Sequence, residues 1–459
     1  MKAYSAGLRV AFSETGAAAV PFFKRALEID PEFAMAHAAL GLAYGDSGES
    51  ALSAKSITKA YELRDRASDR ERFFIMLSYG LQVTGNLETA QQNGELWAQT
   101  YPRDVDAHGL LSLLYQPLGR YETSIEHANI ASGLDPDFAP GYVNRAFSCF
   151  YLDRPAEAEN ALQRASERKL RPAEVLVLRY YIAFLRGDQA GMEQEVDRAR
   201  GKPGAEDWIA HSEALVLARS GHVQQARAAS RRAVDSAQRA GRHEKAAVFE
   251  TGMAMYEAFS GNAAEAQRSA AAALDLSNGR DVEYGAAFAL ALSGDLSRSQ
   301  ALANDLEQRF PEDTMVRFSY VPALRALSAL NHGEPARAVD MLRIAAPYDL
   351  AVPGLNFLGF FGSLYPAYVR GQGYLATRKG SEAAMEFQKI LDHRGIVFAD
   401  PVDAMARLQL GRAFALAGDT TKAKTAYQDF LTLWKDADPG IPVLEQARAE
   451  YARLVSGFE

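Results

Sequence analysis

Eight histidines, His37, His108, His127, His211, His222, His243, His332 and His393, are the residues best suited to metal ligation or proton transfer. No two of them stand as His-x3-His or His-Glu-x2-His, the spacings that present imidazoles to one ion from a single helix face. Nucleophilic chemistry has no clearer home, because Gly-x-Ser-x-Gly is absent and no serine sits at a strand-to-helix elbow. Gly371-Gln372-Gly373 looks like part of a phosphate loop, but Tyr374 follows in helical phase and assigns the segment to helix packing. Asp and Glu total 58, and on paired helices they form solvated faces; acid–base work needs two carboxyls held in a dry cleft. Cys149 is the only cysteine, so neither an internal disulfide nor a Cys-rich zinc site can form. Catalytic, cofactor-binding and metal-binding residues are therefore all expected to be none.

The elements that carry these residues are helical hairpins. The chain has 459 residues, 48% of them apolar and 24% charged, the balance of an ordinary packed protein. Its net charge of −8 lacks the positive excess that releases counterions from a polyphosphate, so no nucleic-acid partner is expected. The N-terminus has no continuous apolar signal region, and residence in the cytoplasm is the default. The most apolar stretch, Leu350 to Val369, is broken by Pro353, Asn356, Pro366 and glycines, which predicts a buried irregular connection over 346–364 and no membrane insertion. The chain starts inside a helix at Tyr4, which suggests a piece of something longer.

Turn signals recur at Gly48, Gly85, Gly119, Asp153, Gly187, Gly221, Gly261, Gly294, Gly333, Gly380 and Gly418, and the four steps from Gly85 to Gly221 are each 34 residues. Two amphipathic runs of helical period flank each turn. Leu410-Gly411, Phe414, Gly418-Asp419, Ala423 and Tyr427 show the unit most clearly; Ala19, Phe23, Ala26 and Pro31, then Leu40, Gly41, Tyr44, Ile57 and Ala60, repeat it in phase. These residues resemble the tetratricopeptide repeat, in which Gly and Ala remove bulk where two helices cross and Pro ends the second helix. The expected fold is an all-α tetratricopeptide (TPR) solenoid: a right-handed superhelix of about twelve helical hairpins over 1–441, with a capping helix over 442–459. His37 and His108 fall where that pattern carries a large aromatic and should pack between helices. His222 and His332 sit in turns and should be exposed.

Three segments are more specific: Tyr365-Pro366-Ala367-Tyr368-Val369-Arg370-Gly371, Glu386 to Gly395, and Tyr427 to Asp438. They resemble the repeat region of serine/threonine-kinase proteins of the kind common in acidobacteria, where the repeats are the sensor or docking half. The resemblance implies a bacterial signalling context, and an extracytoplasmic location if the parent is a membrane kinase. The kinase loop motifs are missing, so the resemblance does not carry catalysis with it, and the chain is expected not to be an enzyme.

By analogy with that family, certain first-helix positions face the concave surface. Here they hold Ile75, Tyr79, Phe147, Phe150, Tyr151, Tyr181 and Phe184, then Trp208, His211, Met255 and Phe259, and finally Tyr284, Phe288, Tyr320, Tyr365 and Tyr368. Arg72, Arg219 and Arg412 are isolated charges among them. The Lys, Arg and Asn cluster that grips a chaperone's terminal carboxylate is missing. An aromatic groove for a protein or peptide partner is one expectation; the other is that the rings pack on neighbouring first helices and close the inner surface. An enzyme or small-molecule site assembled across the concave face, and self-association into a homo-oligomer, are the alternative functions.

Overall fold

The computed structural model describes residues 2–13, 16–170, 172–202, 204–353, 359 and 361–456; part of the 346–364 connection, 354–358 and 360, lies outside them. The described residues are helices joined by turns, with no strand among them. They form two compact units within the range read as one solenoid. One comprises Met1–Ile209, Ala237–Lys245 and Glu312–Thr314; the other comprises Ala210–Ser236, Ala246–Pro311 and Met315–Glu459.

Four hairpins close where a glycine of the first helix meets a large side chain of the second. A Cβ on Gly7, Gly41, Gly371 or Gly411 would stand 2.5–2.8 Å from Phe23, Ile57, Phe387 or Tyr427 respectively, so only glycine admits the crossing. The four pairs are each sixteen residues apart, which is the repeat register expressed as a contact. Ala19, Ala26, Ala60, Ala90, Ala131 and Ala423, the small residues of the second helices, are fully or almost fully buried. Pro31, Pro136 and Pro311 follow helices that end at Ile29, Leu134 and Arg309.

The predicted turn residues are left-handed almost throughout, from Gly48 (φ 81°) to Gly418 (φ 81°), and Asp153 takes the same conformation (φ 57°). One position differs. Gly380 opens the second helix Gly380–Asp392, and the left-handed turn residue is Arg378 (φ 60°). Gly380 is required there for space, because a Cβ would lie 2.7 Å from the Ala413 carbonyl.

In the first unit, Glu244 accepts from Ser50 Oγ and from the Ala51 N–H (3.1 Å), placing a carboxylate at the N-terminus of helix Ser50–Glu62 where the helix dipole favours it. Thr314 donates its N–H to the Gly85 carbonyl (3.0 Å) and accepts from Leu87 N–H through Oγ1 (3.1 Å). In the second unit, helix Pro442–Ser456 buries Leu444 and Ala447, and Glu450 bonds both Arg412 (2.9 Å) and the Tyr427 hydroxyl (2.8 Å). The connection after helix Pro335–Met341 runs through the 3-10 helix Leu342–Tyr348. Buried Arg370 anchors it by pairing with Asp349 (2.6 Å) and Glu386 (2.7 Å).

Candidate functional site

The rings read as a groove lining form the interior of the units. In the first unit Ile75, Phe147, Phe150, Tyr151, Tyr181 and Trp208 are buried, while Tyr79 and Phe184 are half-buried. Tyr79 stacks on Tyr61 with ring centroids 4.0 Å apart. Tyr151 packs against Phe147 and Tyr121, and Tyr181 meets Phe184 edge-on. Trp208 lies under the Lys245 ammonium at 5.2 Å, itself paired with Asp207 (3.3 Å).

The first unit also joins two of the eight histidines. His108 Nε2–H donates to the Pro102 carbonyl (3.2 Å), which leaves its Nδ1 to accept from His127 Nδ1–H (2.9 Å). Tyr115 stacks on His127 and donates to Glu95 (2.7 Å). Burial, reinforced by His108, pushes His127 down to about 4. His108 is packed between helices as its position predicts, His37 is half-buried, and His332 is exposed, whereas His222, expected in solvent, is half-buried with its Nδ1 2.9 Å from Ser220 Oγ. The described residues contain no group of three or more ligating side chains that could hold a metal ion.

In the second unit the first helices converge. Phe259 meets Tyr365 and Tyr368 edge-on at 5.7 and 5.4 Å, Phe288 packs on Tyr365 at 4.6 Å, and Tyr284 stacks on Tyr320 at 3.8 Å with planes 5° apart. Met255 is fully buried, and the inner-face cations are held: Arg219 by Asp403 and Arg412 by Glu450. Three of the ring hydroxyls reach partners on other elements. Tyr320 bonds Asp281 (3.0 Å), Tyr365 bonds Asp400 (3.2 Å), and Gln409 donates to Tyr368 (3.3 Å).

Against this aromatic interior lies a short run of the chain itself. His211, stacked on Phe249 at 4.4 Å, donates Nε2–H to the Gly359 carbonyl (2.8 Å). The Gly362 N–H donates to Asp400 Oδ2 (3.0 Å). The Phe361 ring, 1% exposed, lies beside two helix-interior glycines that are required first by other neighbours: a Cβ on Gly285 would stand 2.3 Å from Thr251 and 3.1 Å from Phe361, and one on Gly252 2.7 Å from His211 and 3.5 Å from Phe361. Asp400 also caps helix Pro401–Leu416 through Val402 N–H (2.9 Å), and burial pushes its carboxyl up to about 8 despite its three donors.

Sequence reasoning selected His211 and Tyr365 here and missed Asp400, Phe361, Gly252 and Gly285. The two glycines carried a usable signal, since each stands mid-helix, away from any turn, where glycine costs about 1 kcal/mol relative to alanine. Elsewhere in this unit an open cleft of about 490 Å³ lies between helices Leu296–Arg309 and Val321–Asn331, with Arg325, His332 and Arg337 on its walls. Arg325 and Arg337 are already paired there with Glu307 and Glu334. No helix among the described residues is long and apolar enough to cross a membrane.

No protein-family model matches the chain, and no curated protein matches it in sequence. Solved structures of similar architecture include the P58(IPK) TPR domain, 13% identical over 85% of this chain and 99% of that one, with a TM-score of 0.25. Yeast Tom70 is 12% identical over 93% and 96% of the two chains (TM-score 0.36), and human IFIT1 with m7Gppp-AAAA is 14% identical over 82% and 86% (TM-score 0.43). Four hairpins in which a glycine of the first helix is seated on a large side chain of the second have the register of the tetratricopeptide pattern, and the fold is all-α.

Proposed function

We propose that the chain is a non-catalytic scaffold that binds a protein partner, and that the inner face of its hairpins holds a segment of that partner in extended form. The observation that carries this reading is in the second unit, where His211 and Asp400 bond main-chain groups of Gly359 and Gly362. Recognition through main-chain groups, with an aromatic ring seated between them, is the chemistry by which a surface accepts an extended peptide. Most inner rings are buried, so within the first unit a partner meets the half-buried Tyr79 and Phe184 first.

Three segments, around Tyr365, Glu386 and Tyr427, support the finer proposal: this scaffold is the docking or sensor part of a bacterial serine/threonine kinase system. Photo-crosslinking amino acids placed at Tyr79, Phe184 and, as an outward-facing control, Leu96 test the docking reading in cells that also express the neighbouring reading frames. Discrete adducts from Tyr79 and Phe184 but not Leu96 are expected. Equal labelling at all three positions rejects docking on the inner face. Adducts that never contain a protein kinase or its substrate remove the kinase context.

A further inference from the structure

We propose that Glu49 and Glu244 form a proton-operated latch in the first unit: with one carboxyl protonated, the segment Ala237–Lys245 stays seated on the turn before helix Ser50–Glu62, and with both ionised it is released. The latch needs no partner and stands apart from the docking reading above. Its basis is a reciprocal exchange of helix caps. Glu49 is the N-cap residue of helix Ser50–Glu62 but makes no cap bond to that helix; its Oε1 accepts instead from the Lys245 N–H (3.4 Å), in the first turn of helix His243–Ser260. Glu244 returns the exchange, accepting from the Ala51 N–H (3.1 Å) and from Ser50 Oγ in the first turn of helix Ser50–Glu62. Each helix takes its N-terminal anion from the other, which satisfies N–H groups that have no partner within their own helix.

The exchange brings two carboxyls into each other's field with little water around them, Glu49 being 8% and Glu244 7% exposed. Such a pair resists a second negative charge. The cations of the seated segment, Arg242 and Lys245, relieve it only in part, because Asp207 pairs with both (3.2 and 3.3 Å). Exposed His243 flanks them, and Glu174, which acts on both Lys245 and Asp46, adds further negative charge to the region. Burial, reinforced by Glu244, pushes the Glu49 carboxyl up to about 7. A folded value above the unfolded one stabilises the seam where Glu49 holds its proton; that contribution is complete below the ordinary value of 4.5 and is lost as pH rises through about 7. Lys245 also lies over Trp208 and pairs with Asp207, so release of the segment bares the first turn of helix Glu206–Arg219.

Amide hydrogen exchange of the full chain, read at Ala51 and Lys245 and divided by the intrinsic rate at each pH, tests the latch. In wild type the protection of both should fall about tenfold between about pH 6 and about pH 8.5. Thr314, whose N–H goes to the Gly85 carbonyl, should keep its protection over the same range. Glu49→Gln retains a carbonyl acceptor and cannot ionise, so its protection at Ala51 and Lys245 should stay level. Level protection in wild type overturns the proposal. So does a Glu49→Gln chain that loses protection as wild type does, since another carboxyl then titrates. A parallel fall at Thr314 also overturns it, because the whole unit is then loosening. If Glu49→Gln does not fold, Glu244→Gln, which retains a carbonyl for Ser50 and Ala51, takes its place: a shallower fall supports the latch and an unchanged one overturns it.

Discussion

The indole Nε1–H of Trp434 donates to the main-chain carbonyl of Arg219 at 2.8 Å, a bond between residues 215 positions apart. Four residues on, the Asp438 N–H donates to the Gly221 carbonyl (3.0 Å) and its Oδ2 accepts from Gln224 N–H (2.8 Å). The C-terminal end of helix Thr420–Leu433 thereby caps the turn that precedes helix Val223–Arg239. Trp434→Phe keeps the ring and loses the bond, and should cost about 1 kcal/mol. Trp434→Ala also opens a cavity and should cost about 3–5 kcal/mol. Urea unfolding followed by exchange protection of helix Thr420–Leu433 checks both, and equal midpoints for the phenylalanine variant and wild type would remove the cap from the account.

The same contact contains a desolvated ion pair. Arg219 meets Asp403, whose side chain is 4% exposed, and Arg407 joins them at 3.1 Å. Burial works to raise the Asp403 carboxyl, but Arg219 and Arg407 outweigh it and hold the group below the usual carboxylate range. Asp403→Asn strands the buried guanidinium and should cost about 3 kcal/mol, whereas the paired replacement Arg219→Met with Asp403→Leu should recover most of it. A double-mutant cycle by chemical denaturation measures the difference; a near-zero coupling energy contradicts the pairing.

Ala423 is fully buried on helix Thr420–Leu433, at the crossing where Gly411 faces Tyr427. Ala423→Leu should overpack that crossing by about 1–3 kcal/mol. A thermal melt in which this variant matches wild type would show that the hairpin register has been misassigned.

His127 sets a pH dependence in the first unit. Its folded value of about 4 lies below the ordinary value near 6.5, so the unfolded chain binds the extra proton first as pH falls. The stability it confers is complete above about pH 6.5 and is lost progressively towards pH 4. His127→Gln removes this titration, so the gap in urea midpoint between wild type and variant should close or reverse on acidification over that window. A gap constant from pH 7 to pH 4 would mean that the imidazole titrates normally in the fold.

The hairpins were legible because their signals are local. Gly41 with Ile57 and Gly411 with Tyr427 are sixteen residues apart, and a missing Cβ at one end with a large side chain at the other is written in the chain itself. Turn positions followed from the same periodicity, and the one shift, from Gly380 to Arg378, came from a glycine needed for close approach to Ala413 and not for its backbone angle.

What residue types alone determined is therefore the pairing of helices, their small-residue crossings and which side chains point inward. The tertiary structure decided whether those inward rings enclose space or fill it. That outcome depends on how small rotations between hairpins accumulate until residues as distant as Arg219 and Trp434 touch, a sum that no local pattern reports. It also decided that Phe361 would lie beside Gly252 and Gly285, because a contact across more than seventy positions needs three helices already in place before the ring has anywhere to go.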